Sequence, residues 1–235
     1  SLSSISNIYL GILNDIQAVI RLDFSAASRL AIDRQHEVNL LKDISHLDLA
    51  PKVLYSDFSA GILIWEYIPG AQLPVASKQF NAETLYQLGS TLYSLHSHPI
   101  PKNSVDVFSN SMLLYQSLLD GTSEKSLFNK ALDLYRELLR DGTNKVLSHN
   151  DLHQGNLLWN QKYYFLDWEY AGMNHPCFDI ASMVKSLQLN QSQINEMSLG
   201  YKFSNKLFHR DKIHQWIEFI DYLDEIWKIS VAKIS

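Results

Sequence analysis

Ser148-His149-Asn150-Asp151-Leu152-His153-Gln154-Gly155-Asn156, followed further on by Phe165-Leu166-Asp167-Trp168-Glu169, is the most informative part of the chain. Asp151 and Asn156 lie five positions apart, on what reads as a loop after the short β-rich run 145–148. Two more such runs, 157–160 and 163–167, flank a turn at Asn160-Gln161-Lys162. A hairpin of that length folds back on itself and returns Asp167 to within reach of Asn156. Phosphoryl transfer from a nucleotide needs this kind of donor set. A few carboxylate or amide oxygens hold Mg²⁺ while phosphates and water complete its shell, and one further carboxylate receives the proton of the attacking hydroxyl. On this reading Asp151 is the base, and Asn156 and Asp167 are the metal ligands.

Outward from this segment, the apolar period changes along the chain. Residues 7–68 mix strand-like runs (Asn7 to Leu13, Ile16 to Leu22, Lys52 to Ser56, Ile62 to Ile68) with one helical stretch from about Leu30 to His46. Asn14-Asp15 predicts a hairpin between the first two strands. Leu85, Leu88, Leu92 and Leu95 recur at helical spacing behind an N-cap at Asn81, and Pro99 and Pro101 stop the run. Further helices are predicted over 108–119 and 124–140. Trp216, Ile220, Leu223, Trp227, Val231 and Ile234 draw one apolar face on a long C-terminal helix. The expected fold class is α+β and bilobal: a small β-rich lobe over 1–68, a connector marked by Pro69-Gly70, and a larger, mainly helical lobe over 69–235. A cleft between lobes is where small ligands usually sit.

These residues resemble the kinase-like phosphotransferases that include aminoglycoside phosphotransferases, choline and ethanolamine kinases and bacterial thiamine kinases. His149-Asn150-Asp151 with Asn156 matches their catalytic loop, Asp167-Trp168-Glu169 stands where protein kinases carry Asp-Phe-Gly, and Phe178-Asp179-Ile180-Ala181 matches the motif that follows. Ala18-Val19-Ile20-Arg21 resembles the strand that offers a basic residue to phosphates. Asp33-Arg34 with Glu37 resembles the helix carrying its acidic partner, and Leu49-Ala50-Pro51 and Glu66-Tyr67-Ile68-Pro69-Gly70 resemble the segments leading to the hinge. Order and spacing agree from about residue 3 to residue 183. The resemblance implies a protein-kinase-like fold, ATP and Mg²⁺ as cofactors, and nucleotide contacts from Ser3, Ser4, Asn7, Arg21, Glu37, Glu66, Tyr67 and Ile68. Two departures stand out. The phosphate loop Ser3-Ser4-Ile5-Ser6-Asn7 has no glycine, and the strand offers arginine, a planar fork, in place of the point charge of lysine. Arg21 looks more like the choline and thiamine kinase branches than the antibiotic-modifying one.

Glu169, Asn174 and Trp227 are the expected substrate contacts. Carboxylates with aromatic faces suit a cation, each ring contact being worth roughly 0.5–2 kcal/mol. The acceptor is therefore expected to be a small cationic alcohol, of the choline, ethanolamine or thiamine type. An aminoglycoside-type phosphotransferase and a catalytically silent nucleotide-binding protein are the competing readings, the second suggested by the glycine-poor loop. A protein kinase is disfavoured, because no Ala-Pro-Glu segment follows Asp167.

Composition agrees with such an enzyme. In 235 residues, 46% hydrophobic and 19% charged side chains describe a folded, water-soluble chain, and a formal net charge of −5 is the wrong sign for a nucleic-acid partner. The single cysteine, Cys177, excludes a disulfide framework and a cysteine zinc site and points to the cytoplasm. The longest apolar runs fall far short of the roughly 20 residues that span a bilayer, so no membrane insertion is expected. His149 and His153 lack a third ligand and an HExxH helix, which sets zinc aside. His149 reads as a brace of the loop, the resemblance implies for Asp179 either a buried brace or a substrate contact, and Trp216 and Tyr222 read as core.

Overall fold

The computed structural model describes residues 6–23, 32–72, 80–101, 106–202 and 206–234. The N-terminal sheet is built from β1 (Ser6–Leu13), β2 (Ile16–Asp23), β3 (Val53–Asp57) and β4 (Ile62–Glu66), all antiparallel in the order β1-β2-β4-β3. Asn14 and Asp15 form the two-residue turn between β1 and β2 with φ of 51° and 64°. Both sit in the left-handed region that such hairpins require and that Asn and Asp tolerate. Helix α1 (Arg34–Asp43) starts at Asp33, whose carboxylate accepts from the His36 amide at 2.9 Å. A 3₁₀ turn over Ile44–Leu47 follows it, so the helical stretch expected to run to His46 tightens at its end.

The remainder is mainly helical: α2 (Ala82–His96), α3 (Val107–Leu119), α4 (Lys125–Leu138), α5 (Pro176–Ser186), α6 (Gln191–Gly200) and α7 (Arg210–Ile234). Asn81 caps α2 through Thr84, as its position predicts. Short strands β6 (Val146–Ser148), β7 (Leu157–Trp159), β8 (Tyr163–Phe165) and β9 (Gly172–Asn174) carry the loops between them, and β5 (Ala71–Gln72) pairs with β7 just after Pro69-Gly70. Helices α5 and α6 and strand β9 were not separately visible in the apolar period. The core is one large cluster running from Leu40 and Leu49 through Leu85, Leu92, Leu147 and Phe165 to Trp216 and Phe219, with Trp216 fully buried.

Helices α2 and α6 cross at two glycines. A Cβ on Gly89 would lie 1.9 Å from the Met197 carbonyl oxygen, and one on Gly200 would lie 1.8 Å from that of Tyr86. Backbone cannot yield that much without moving a helix, and overpacking of this kind costs about 3 kcal/mol or more. Gly89→Ala is therefore expected to lower the melting temperature by on the order of 10 °C. Calorimetry of the variant checks this, and an unchanged transition would show that the crossing is looser than described.

Candidate active site

The catalytic-loop segment is held from beneath by Asp179. This fully buried carboxylate accepts from the His149 amide at 2.8 Å, the Asn150 amide at 2.9 Å and the His96 ring at 3.1 Å. Those partners outweigh burial and hold its pKa below the ordinary carboxylate value. Asn150 takes φ of 64°, and its side chain is tied to the Tyr170 carbonyl and the Asn174 amide. Two braces and one left-handed residue thus aim Asp151 out of the loop. The Asn156 amide donates to the Asp151 carboxylate and to its backbone carbonyl, each at 2.9 Å.

The β7–β8 hairpin does what its length predicts. Leu157 pairs with Phe165, the Leu166 amide donates to the Asn156 carbonyl at 2.9 Å, and Asp167 follows with φ of 63°. Asn156 and Asp167 therefore stand at neighbouring positions at the open end of the hairpin's two arms. Across from them Arg21 is almost wholly buried and grips Glu37 with both guanidinium nitrogens, at 2.9 and 2.5 Å, while its Nη1 lies 3.8 Å from Asp167. Arg34 joins Asp23, Glu37 and Glu169 into the same network.

Two cavities meet here. One, of about 500 Å³, lies between the sheet and the large lobe and is lined by Ile8, Val19, Leu63, Trp65, Arg21 and Glu37 among others. The second, of about 430 Å³, lies between α3, α5 and α7 and is lined by Tyr115, Tyr170, Trp227, Phe108, Asp151 and Asp224 among others. Asp167 and Glu169 border both. Burial and the neighbouring Asp167 and Glu169 charges hold the Asp151 pKa well above the ordinary carboxylate value. Burial with the Asp167 charge pushes Glu169 up to about 7 against the opposing pull of Arg34. Asp167 is raised as well, by burial and then by Glu37. Two arginines thus face five carboxylates (Asp23, Glu37, Asp151, Asp167 and Glu169), and a site with this surplus of negative charge calls for a cation. Among the described residues no three His, Cys, Asp or Glu side chains form a ready-made metal cage. An Asn–Asp pair fits Mg²⁺, which takes few protein ligands and completes its shell from phosphates and water.

Of the expected site residues, Arg21, Glu37, Asp151, Asp167, Glu169 and Trp227 line these cavities, whereas Asn7, Glu66, Tyr67, Ile68, Asn156 and Asn174 are not among the lining residues. Ser3 and Ser4 lie outside the described residues. Asn7 stands within β1 and not on a loop; alternation along the strand turns Ser6 and Ile8 to the cavity under the sheet, and exposed Asn7 is not among its lining residues. Glu66 accepts from the Lys52 amide at 2.9 Å and returns its own amide to the Lys52 carbonyl, and the Tyr67 amide donates to Gln17. These contacts commit both hinge residues to the sheet. Asn174 corrects the expectation most plainly. It is fully buried in the β6–β9 ladder, accepts from Tyr135 at 3.1 Å and the His175 amide at 2.8 Å, and donates to Asn150, so it braces the loop from behind and does not line the cavity between α3, α5 and α7. Trp227 does line that cavity, and its indole N–H lies 3.4 Å from the Tyr170 hydroxyl. Arg34, Tyr115, Tyr170 and Trp65 carried no site role in the sequence reading. Tyr115 belongs to the apolar stripe of α3, which periodicity alone assigns to the core, whereas Tyr170 follows Glu169 directly and could have been found from its place in the motif.

Behind the site, His175 caps α5, stacks on Trp216 at 4.8 Å between ring centroids and faces Asp141, itself paired with Lys212. Burial, with the Lys206 charge, lowers its pKa to about 4. An unfolded histidine titrates near 6.5, so between those values the unfolded chain binds the proton and the native one does not; this contribution is absent above about pH 6.5 and destabilises as pH falls towards 4. The raised Glu169 pKa acts with the opposite sign, so the test is a difference between variants. His175→Asn keeps a capping side chain and is expected to lose about 2 kcal/mol less than the parent between pH 7 and pH 5, measured by urea unfolding. Equal losses would rule out a neutral buried imidazole.

The sequence profile described as the phosphotransferase enzyme family matches residues 3–215. Among curated proteins, the LicA homolog of Mycoplasma capricolum is 28% identical over 195 residues, covering 77% of this chain and 76% of that protein. Ethanolamine kinase 1 of Mus musculus is 27% identical over 197 residues, covering 74% of this chain and 52% of that one. Among solved structures, the choline kinase LicA from Streptococcus pneumoniae superposes with a TM-score of 0.78 at 22% identity, over 95% of this chain and 81% of that chain, which shows the shared protein-kinase-like fold. Among the described residues no helix is long and apolar enough to cross a membrane. The chain belongs to the phosphotransferase enzyme family.

Proposed function

We propose that the chain transfers the γ-phosphoryl group of ATP, with Mg²⁺, to the hydroxyl of a small cationic alcohol of the choline or ethanolamine type. The observation that carries this is the junction of the two cavities: Asp151, Asp167 and Glu169 stand where the acceptor-side cavity meets the cleft under the sheet, and the acceptor side combines those carboxylates with the rings of Tyr115, Tyr170 and Trp227. Ring faces and carboxylates attract an ammonium and leave its hydroxyl to Asp151. Residues 1–68 form the nucleotide lobe and 69–235 the catalytic lobe in this reading. The nucleotide would lie in the cavity lined by Ile8, Val19 and Trp65, where Arg21, oriented by Glu37, would offer its charge to the phosphates.

Asp151 takes the proton of the acceptor hydroxyl as its oxygen attacks the γ-phosphorus, the bond to the β-phosphate oxygen breaks, and ADP leaves. Asn156 and Asp167 would hold Mg²⁺, which would supply positive charge against the phosphoryl oxygens. The ethanolamine kinase relative supports this acceptor class through its name.

The test is Mg²⁺-dependent ADP release with ATP and a panel of choline, ethanolamine, thiamine, an aminoglycoside and a neutral sugar. Turnover confined to choline or ethanolamine is the expected result. Turnover of the sugar alone, or of none of the panel, would reject the assignment.

A further inference from the structure

Arg34 opens α1, and its side chain is only 14% exposed. Its guanidinium reaches carboxylates from three parts of the fold: Nη2 to Asp23 at the end of β2 at 2.8 Å, Nη1 to Glu37 one turn along α1 at 3.0 Å, and Nη1 to Glu169 beyond the hairpin at 2.7 Å. The last of these spans 135 positions of sequence and joins the small lobe to the acceptor-side loop. Glu169 is itself nearly buried and stands beside two other carboxylates, Asp151 and Asp167, whose like charges repel it. Without a buried cation at its side, this carboxylate has no reason to stay at the junction of the cavities. Only a planar fork can hold three acids at once; a lysine ammonium on a flexible stem cannot.

We propose that Arg34 is a positioning residue for the acceptor: it acts through Glu169, fixing that carboxylate where it borders both cavities, and draws its own rigidity from Asp23 and Glu37. The inference rests on the acceptor-site reading above. Arg21 holds Glu37 through both of its terminal nitrogens and shares the Glu37 Oε2 with Arg34, so Glu37 keeps its bidentate partner when Arg34 is replaced.

Kinetics of Arg34→Gln, Glu169→Gln, the double variant and Arg34→Lys with the best amino alcohol of the panel provide the test. Loss of a charge-assisted hydrogen bond at a buried site predicts an acceptor KM raised about 10- to 100-fold in each Gln variant, with the KM for ATP changed less than about threefold. Because Arg34 acts through Glu169, the double variant is expected to be no worse than the worse single one. Arg34→Lys keeps a buried cation, guards against a folding failure of the Gln variant, and is expected to show an intermediate acceptor KM. Multiplying effects in the double variant would overturn the proposal, as would a raised KM for ATP with the acceptor KM untouched. Parent protein that turns over no amino alcohol would instead overturn the acceptor reading itself.

Discussion

Asp151→Asn is expected to lower kcat by about 10²–10⁴, the range that a positioned general base contributes. The substitution is nearly isosteric, so the hydrogen bond from Asn156 and the Asp179 brace beneath the loop remain available, and the loop should keep its shape. What disappears is the capacity to take a proton. The raised pKa of Asp151, caused by burial and by its acidic neighbours, makes it a better proton acceptor than an exposed aspartate. An unchanged KM for both substrates with collapsed kcat is the expected pattern, because the lost interaction develops only as the hydroxyl attacks. Steady-state ADP release measures it, and a kcat within threefold of the parent would remove Asp151 from the base role.

Asp167→Asn is expected to lower kcat by about 10²–10³ and to shift the Mg²⁺ dependence to higher concentration. A metal ion stabilising phosphoryl oxygens supplies several kcal/mol to the transition state, and a neutral amide holds it more weakly than a carboxylate. Asparagine suits the test because it tolerates the φ of 63° that position 167 adopts, where a β-branched residue would add backbone strain. The two variants also separate the roles. Asp151→Asn should leave the Mg²⁺ titration in place, and Asp167→Asn should move it. An unmoved titration for Asp167→Asn would take Asp167 out of the metal site.

Much of this architecture is legible in the residues, and the reason is locality. The β1–β2 hairpin follows from Asn14-Asp15, α2 from Asn81 and its leucine period, and the return of Asp167 to Asn156 from a hairpin whose two arms flank three turn residues. The motifs that carry the protein-kinase-like fold, in order from Ala18 to Ala181, are each a short local stretch. Each of these depends on neighbours within a dozen or so positions, where turn chemistry and side-chain period are decisive.

Other features depend on partners far away in the chain. Asn7 and Asn174 both have the right chemistry for a site, but the phase of β1 puts Asn7 off the nucleotide-side cavity and the β6–β9 ladder buries Asn174 behind the catalytic loop. A shift of one residue in a strand reverses its faces, and composition does not report that phase. Tyr115 sits on a helical stripe that reads as core, and only the packing of α3 against α7 leaves a cavity between it and Trp227. Arg34 meets Glu169 across 135 positions, a contact that no local period announces. The sequence alone determined the chemistry, the order of its parts and the elements that carry them. Tertiary structure decided which faces those elements present, because burial and ion pairing are settled between segments and not within them.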